Sequence, residues 1–401
     1  MKNTDIAIIG GGLAGSTAAA MLGRAGIAAV LVDPHEVYPP DFRVEKLSGE
    51  EQIARFRRTG IADAVLREAV HANENWIARF GVLLDKAPRE QIGLLYDALV
   101  NAIRAEIADP VEKIAAKAVS ISTSADRQTV VLSNGETISA RLVVLANGLN
   151  VGLRQKLGIA RRIVSPCHSI SIGFDIFPVS RPTFDFPALT YFSEKPRDRI
   201  PYLTLFPVGN RMRANLFVYR NADDPWLREF RLAPVKTLTA ALPRLARITG
   251  AFTIPGEIKV RPADLYVNTG LLRPGVVLVG DAFASTCPVT GTGTDKVFTD
   301  VERLCNVHIP AWLATDGMDE AKIAAFYADP VKQACDEWST AKAHDFRAIS
   351  IDTDLYWEAQ RQARFFAWMG KGLLRRICGG LTGRSRLQSS SSSSSSLSSS
   401  A

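Results

Sequence analysis

Ile6-Ala7-Ile8-Ile9-Gly10-Gly11-Gly12-Leu13-Ala14-Gly15 is the stretch on which the fold turns. The four residues before the glycines form the apolar run that a fully buried strand requires. Residues 16–25 are rich in Ala, Leu and Met and contain no proline, which favours helix. Ala28-Ala29-Val30-Leu31-Val32 then reads as a second buried strand and ends on Asp33. Strand, glycine turn, helix, strand and acid together predict a βαβ unit that binds a dinucleotide. Gly10 permits the turn, Gly12 lets a pyrophosphate approach the backbone, and Gly15 lets helix and strand pack closely. The free N–H groups at the helix start, around Leu13 and Ala14, and the positive end of its dipole suit phosphates. Asp33 lies 18 residues beyond Gly15, about where an acid meets the ribose hydroxyls. The plainer alternative is a tight turn with no ligand; the flanking strands, helix and acid argue against it.

The totals set the class. With 401 residues, 47% hydrophobic and 22% charged, the chain is long enough for two domains and reads as soluble and globular. The net charge of +7 comes from basic residues spread along the chain, as in a mildly basic enzyme, and predicts no nucleic-acid partner. Five scattered cysteines without a CxxC suit free thiols in a reducing compartment, and no His/Cys/carboxylate spacing suggests a metal. The uncharged residues 6–23 are long enough to mimic a membrane span, but their glycines and the nearby Asp5 and Asp33 favour the βαβ unit. No secretory signal precedes them, so a cytoplasmic protein is expected.

After Asp33 a proline-rich loop leads to Arg43, a candidate clamp for the pyrophosphate, and then to helical stretches over residues 49–68. Residues 91–107 read as one amphipathic helix, with Leu95, Leu99 and Ile103 on one face. Short strands follow near 111–114 and 118–122. Residues 128–132 and 137–139 flank the turn Ser133-Asn134-Gly135-Glu136 as a hairpin. Residues 141–146 then form another buried strand, closed by Asn147-Gly148. From about residue 164 to 266, aromatic and β-branched residues alternate, as in an antiparallel sheet with one face buried and one free for a pocket. A parallel-type strand returns at residues 275–280. Residues 319–380 read as mostly helical.

Three elements now stand in one order: the Gly10 to Gly15 fingerprint, Ala146-Asn147-Gly148 at a strand end, and Gly280-Asp281-Ala282 followed by Pro288, Gly291 and Gly293. The set resembles the FAD-dependent aromatic hydroxylases, the single-component flavoprotein monooxygenases. The resemblance covers about residues 5–160 and 270–305. It implies that Asp281, after Gly280, bonds the ribityl chain of FAD. It implies that Pro288, Gly291 and Gly293 bring a helix start against the flavin ring, whose reduced form is anionic at one edge. It implies that Arg43 lies near the cofactor and that Asp33 holds the adenosine ribose. Two positions depart from the pattern. Asn147-Gly148 replaces the family's Asp-Gly, which is linked to nicotinamide handling, and Tyr96 stands where an arginine often opens the helix.

The implied fold is an α/β, Rossmann-type FAD-binding domain from residues 1–163 and 270–330, with an inserted antiparallel substrate-binding sheet over 164–269. C-terminal helices over 331–385 and a disordered serine-rich tail over 386–401 complete the chain. For residues 356–374, packing on the body of the protein is expected over contact with a membrane surface. The implied function is a monooxygenase. NADH or NADPH, or a separate flavin reductase, reduces the flavin. Molecular oxygen adds to it, and the hydroperoxide hands one oxygen atom to a small organic substrate, for which the resemblance implies an aromatic ring, in a dry pocket. The chain has no second GxGxxG, so a nicotinamide would bind without its own Rossmann domain. The alternatives are an FAD-dependent reductase of isoprenoid-type double bonds and a non-catalytic FAD-binding module. Flavin halogenases share the implied fold but carry closely spaced tryptophans with Ile-Pro; the six tryptophans here show no such motif, so halogenation ranks low.

Overall fold

The computed structural model describes residues 1–67, 69–88, 91–209 and 211–391. Its first sheet is built on the βαβ unit. The strand Lys2–Ile9 runs parallel to Ala29–Asp33 on one side and to Thr137–Leu145 on the other. The helix Leu13–Arg24 crosses between the first two strands. Val111–Ala115 extends the parallel order beyond Ala29–Asp33, and Val276–Leu278 pairs parallel with Thr137–Leu145. The antiparallel strands Gln128–Leu132 and Ala118–Ser122 complete seven strands. The sheet's Ile, Val and Leu side chains are buried on both faces, as a parallel sheet covered by helices requires.

The second sheet has eight strands and is antiparallel except where Leu189–Phe192 runs alongside Asn75–Arg79. Its backbone is the 19-residue strand Ala160–Pro178, which pairs with both Arg211–Val218 and Lys259–Thr269. Tyr202–Val208 lies between Arg211–Val218 and Leu189–Phe192. One face is closed by apolar side chains, including Phe174, Leu203, Leu205 and Leu216, under the short helices Pro225–Leu232 and Pro234–Ala241. The opposite face looks toward the first sheet. A three-stranded sheet, Val44–Ser48, Gln91–Leu95 and Val70–Ala72, bridges the two.

Local differences from the sequence reading have physical causes. Residues 91–107 split into the strand Gln91–Leu95 and the helix Tyr96–Ala105. Gly93 explains the strand: a Cβ there would lie 2.2 Å from the ring of Phe206, so this segment passes flat against the second sheet. The two strands read over 137–146 are one, Thr137–Leu145. Residues 225–249, read as sheet, contain three short helices.

The C-terminal region is helical. Pro330–Ile351 packs on Gly293–Arg303, and the final helix Leu355–Ser391 packs on Val82–Ala87. Phe365 and Trp368 of the final helix meet Ile77, Leu84 and Ala87, while Gly372 sits against the Leu84 carbonyl. From residue 392 onward, the serine-rich tail lies outside the described residues.

Candidate cofactor and substrate site

The glycine turn is fixed by how closely two chain segments approach. A Cβ on Gly15 would sit 1.8 Å from the Gly10 carbonyl oxygen, and Gly10 itself has φ +102° against the Ala146 carbonyl. Only glycine allows this crossing. Asp33 steadies the turn: its carboxylate accepts the Gly11 N–H at 2.7 Å and the His35 N–H at 2.9 Å. Buried Arg104 lies 3.2 Å from the same carboxylate and donates to the Gly11, His35 and Glu36 carbonyls. The sequence reading missed Arg104, because an arginine on a helix face 71 positions beyond Asp33 carries no local signal.

Tyr96, the departure noted at the helix start, has a structural job. Its hydroxyl accepts the Leu13 N–H at 3.2 Å, at the N-terminus of the first helix. Its ring lies under the Arg43 guanidinium, whose Cζ is 3.6 Å from the ring centre. Arg43 is also held by Asp41, through the backbone N–H at 2.9 Å and through Nε at 2.9 Å.

The second glycine turn is held from several sides. The Gly280 N–H donates to Asp300 at 2.9 Å. The Tyr266 hydroxyl donates to the Asp281 carbonyl at 2.6 Å, and Asn268 and Arg154 each donate to the Ala282 carbonyl at 2.6 Å. The Asp281 carboxylate is left facing inward. Burial pushes its pKa up, against the opposing pull of Arg261, Arg43, Lys296 and Arg154. Pro288–Thr290 forms a 3-10 turn, Gly291 follows in the left-handed region, and the helix Gly293–Arg303 starts directly after.

These parts converge on a cavity of about 1800 Å³. Gly10, Gly12, Leu13, Ala14, Asp33, Arg43, Asn147, Gly148, Asp281, Pro288, Gly291 and Gly293 all line it. Gly15 and Gly280 stand just behind its wall. Both polar atoms of the Asn147 side chain are buried without a hydrogen-bond partner. Buried polar groups are rarely left so unless a ligand completes them.

A family model described as "FAD binding domain" matches residues 3–308. The chain belongs to this FAD-binding family. Its cofactor is FAD, and the residues fit it: an unpaired Asn147 amide, an inward carboxylate at Asp281 and two glycine turns at one cavity. The 3-demethoxyubiquinol 3-hydroxylase of Escherichia coli (strain K12) is 27% identical over 329 residues, covering 77% of this chain and 80% of that protein. The fold matches p-nitrophenol 4-monooxygenase PnpA from Pseudomonas putida DLL-E4 with a TM-score of 0.73 at 17% identity, covering 95% of this chain and 98% of that one. It also matches P. aeruginosa PqsL in complex with 2-aminobenzoylacetate, with a TM-score of 0.66 at 21% identity, covering 86% and 97%.

On the far side the FAD-family cavity is walled by the open face of the second sheet. Thr190, Thr204 and Asn215 sit opposite one another on three neighbouring strands and form a polar row. Beside it lies an aromatic row: Phe192 contacts Tyr202 at 6.0 Å, Tyr202 contacts Phe217 at 5.1 Å, and Phe346 closes over Tyr202 at 5.8 Å. The Tyr202 hydroxyl donates to the Val289 carbonyl, which ties this row to the Pro288–Thr290 turn. Alternation alone could not show which aromatics face the cavity; the strand register does. Among the described residues there is no cluster of groups able to hold a metal.

Proposed function

We propose that the protein is an FAD-dependent monooxygenase acting on a small organic substrate bound against the open face of the second sheet. The carrying observation is that both glycine turns and the aromatic row line one cavity, with Tyr202 bonded directly to the Pro288–Thr290 turn. FAD, when bound and reduced, supplies the electrons that activate dioxygen. The chain's part is to bind, orient and keep water out. With FAD bound, Leu13, Ala14 and the helix dipole would hold the diphosphate together with Arg43, Asp33 would hold the adenosine ribose, and Asp281 would hold the ribityl chain. Asn147 and Gly148 complete the wall beside Gly10. The start of the Gly293–Arg303 helix would offer its positive end to the charge of the reduced ring. The aromatic row gives the substrate a dry surface.

The electron donor in this reading is NADH or NADPH, taken up without a second Rossmann domain, or a separate flavin reductase. Among the described residues Cys167, Cys287, Cys305 and Cys335 are free thiols, which supports a cytoplasmic setting.

Contact with a lipid surface is the second part of the proposal. Among the described residues no helix is long and apolar enough to cross a membrane. The final helix, however, packs by one face only. Leu355, Phe366, Leu373, Leu374 and Ile377 on it are all more than half exposed. Residues 359–391 contain seven Lys and Arg and no Asp or Glu, so an anionic bilayer complements this helix in both charge and polarity. Trp368 reaches from the same helix to the cavity lining.

The test is turnover under ¹⁸O₂ with FAD-loaded protein and each donor. Incorporation of one labelled atom into product supports the proposal. Product formed equally well without oxygen would replace it with double-bond reduction. A flavin that no donor or reductase reduces would leave a binding module.

A further inference from the structure

Lys46 is a half-buried cation that lines the cavity without a carboxylate partner among the described residues. The strand Val44–Ser48 carries it into the cavity wall directly after Arg43. Its Nζ donates to Thr204 Oγ1, in the middle of the polar row, and lies 6.0 Å from the ring centre of Phe206. Asn75 donates to Thr190 Oγ1 at 3.1 Å, and its own side-chain oxygen is buried with no partner. Ser171 Oγ, on the neighbouring strand across from Phe217, is likewise buried and unpartnered. The cavity therefore holds a lysine and several unmet polar atoms beside an aromatic row. None of them belongs to the glycine turns.

A half-buried amine facing a cavity carries a cost as a lone charge, since part of its hydration is lost with no anion in return. Burial pulls the Lys46 pKa down to about 7, opposed only by Glu45. Glu45 is itself pushed toward its neutral form by burial, with Arg43, Asp281, Asp41 and Arg261 as the other charges acting on it. An acidic O–H on a ligand resolves the cost. The O–H bond breaks, its proton moves to Nζ, and an ammonium–oxyanion pair forms with no net charge brought into the cavity. The aromatic row selects a ring beside that oxygen.

We propose that Lys46, with Thr204, is a substrate-binding residue that accepts the proton of an acidic ring hydroxyl and holds the resulting oxyanion. The assignment deepens the monooxygenase reading, which supplies the substrate pocket, but it concerns binding alone. It can be tested on oxidised, FAD-loaded protein where no turnover occurs.

The probes are 4-nitrophenol, whose anion absorbs in the visible, and nitrobenzene, which has the ring without the hydroxyl. Wild-type protein should bind 4-nitrophenol as the anion at a pH where the free compound is still largely protonated. Lys46→Met should weaken 4-nitrophenol by at least about tenfold, the equivalent of one charge-assisted hydrogen bond, while nitrobenzene changes by less than about twofold. Lys46→Arg should keep the anion bound, because its charge is permanent. Three results would overturn the assignment: the same anion band and affinity in Lys46→Met, equal weakening of both probes, or no 4-nitrophenol binding by wild-type protein that carries FAD. Lys46-dependent binding of benzoate but not of 4-nitrophenol would also overturn it, in favour of a carboxylate ligand. Failure of oxygen transfer with these binding results intact would count against the monooxygenase reading alone.

Discussion

Lys332 and Asp300 form an ion pair of 2.8 Å in which each side chain is about 1% exposed. The other Asp300 oxygen accepts the Gly280 N–H, so the pair reaches the backbone of the turn that presents Asp281. Lys332 also bonds Asp336 at 2.9 Å, and Asp336 in turn pairs with Lys296 on the Gly293–Arg303 helix. The C-terminal helix Pro330–Ile351 thereby clamps both sides of the second glycine turn. Breaking a buried pair leaves an uncompensated charge, whereas replacing both members need not. Lys332→Met is expected to destabilise the fold by about 3–5 kcal/mol, and Lys332→Met with Asp300→Leu by clearly less. Denaturant unfolding of the three proteins checks this. Equal stability of wild type and Lys332→Met would show that the pair holds nothing.

Asp281 and Asn147 approach the cavity from different strands of the first sheet and differ in what they have at stake. Asp281 offers a carboxylate to hydroxyl groups, a charge-assisted bond worth about 1.5–3 kcal/mol. Asn147 offers a neutral amide worth about 0.5–1.5 kcal/mol. Asp281→Ala should therefore cost FAD roughly ten- to a hundredfold in affinity, and Asn147→Ala about tenfold or less. Flavin fluorescence on titration of apoprotein measures both, with circular dichroism as the control for folding. An Asp281→Ala protein that retains FAD as tightly as wild type would remove that residue from the site.

The parts of this fold legible in the sequence are those where geometry leaves one residue type. Gly10 and Gly15 are legible because two backbones cross at distances that a Cβ forbids. Asn134-Gly135 is legible because a two-residue turn needs left-handed backbone, and Gly135 has φ +86°. The strand Val44–Ser48 was not legible. Glu45 and Lys46 give it the polarity of a loop, and only the pairing with Gln91–Leu95 makes it a strand. Lys46 was missed as a site residue for the same reason. Arg104 and Lys332 were missed because their partners are distant in sequence and brought close only by the fold. The helix period through Leu99 and Ile103 was read correctly. It was carried five residues too far back, over the strand Gln91–Leu95, since Ile92 and Leu94 suit either period until Phe206 is known to lie against Gly93.

His168 makes stability depend on pH. It is fully buried, its ring nitrogens meet Ser165 Oγ at 3.1 Å and the Ala343 carbonyl at 3.3 Å, and His344, Arg347 and Tyr219 stand beside it. Burial is the main cause that lowers its pKa to about 4 from 6.5. The folded protein therefore holds the ring neutral, while the unfolded chain takes up a proton below about pH 6.5. The folded pKa is the lower one, so its contribution is complete above about pH 6.5 and is lost as pH falls toward 4. The loss amounts to about 3 kcal/mol at most. Unfolding free energies measured across that range should fall less steeply for His168→Gln than for wild type. Parallel curves would rule out the histidine as the source.

The bare face of the final helix gives the last expectation. Leu373 and Leu374 are 60% and 63% exposed, and together with Phe366 and Ile377 they form a stripe opposite the face that packs on Val82–Ala87. Burying such side chains in a lipid interface contributes about 1 kcal/mol or more each, and cationic neighbours add about 1 kcal/mol each near an anionic surface. Wild-type protein should co-sediment with phosphatidylglycerol-containing vesicles and release as salt is raised, because the charge contribution is screened. Leu373→Glu with Leu374→Glu should stay in the supernatant while carrying the same amount of FAD, since neither residue lines the cavity. Wild type that ignores anionic vesicles at every salt concentration would end the lipid proposal. If it forms dimers that the double substitution dissolves, a second copy of the chain covers the face instead.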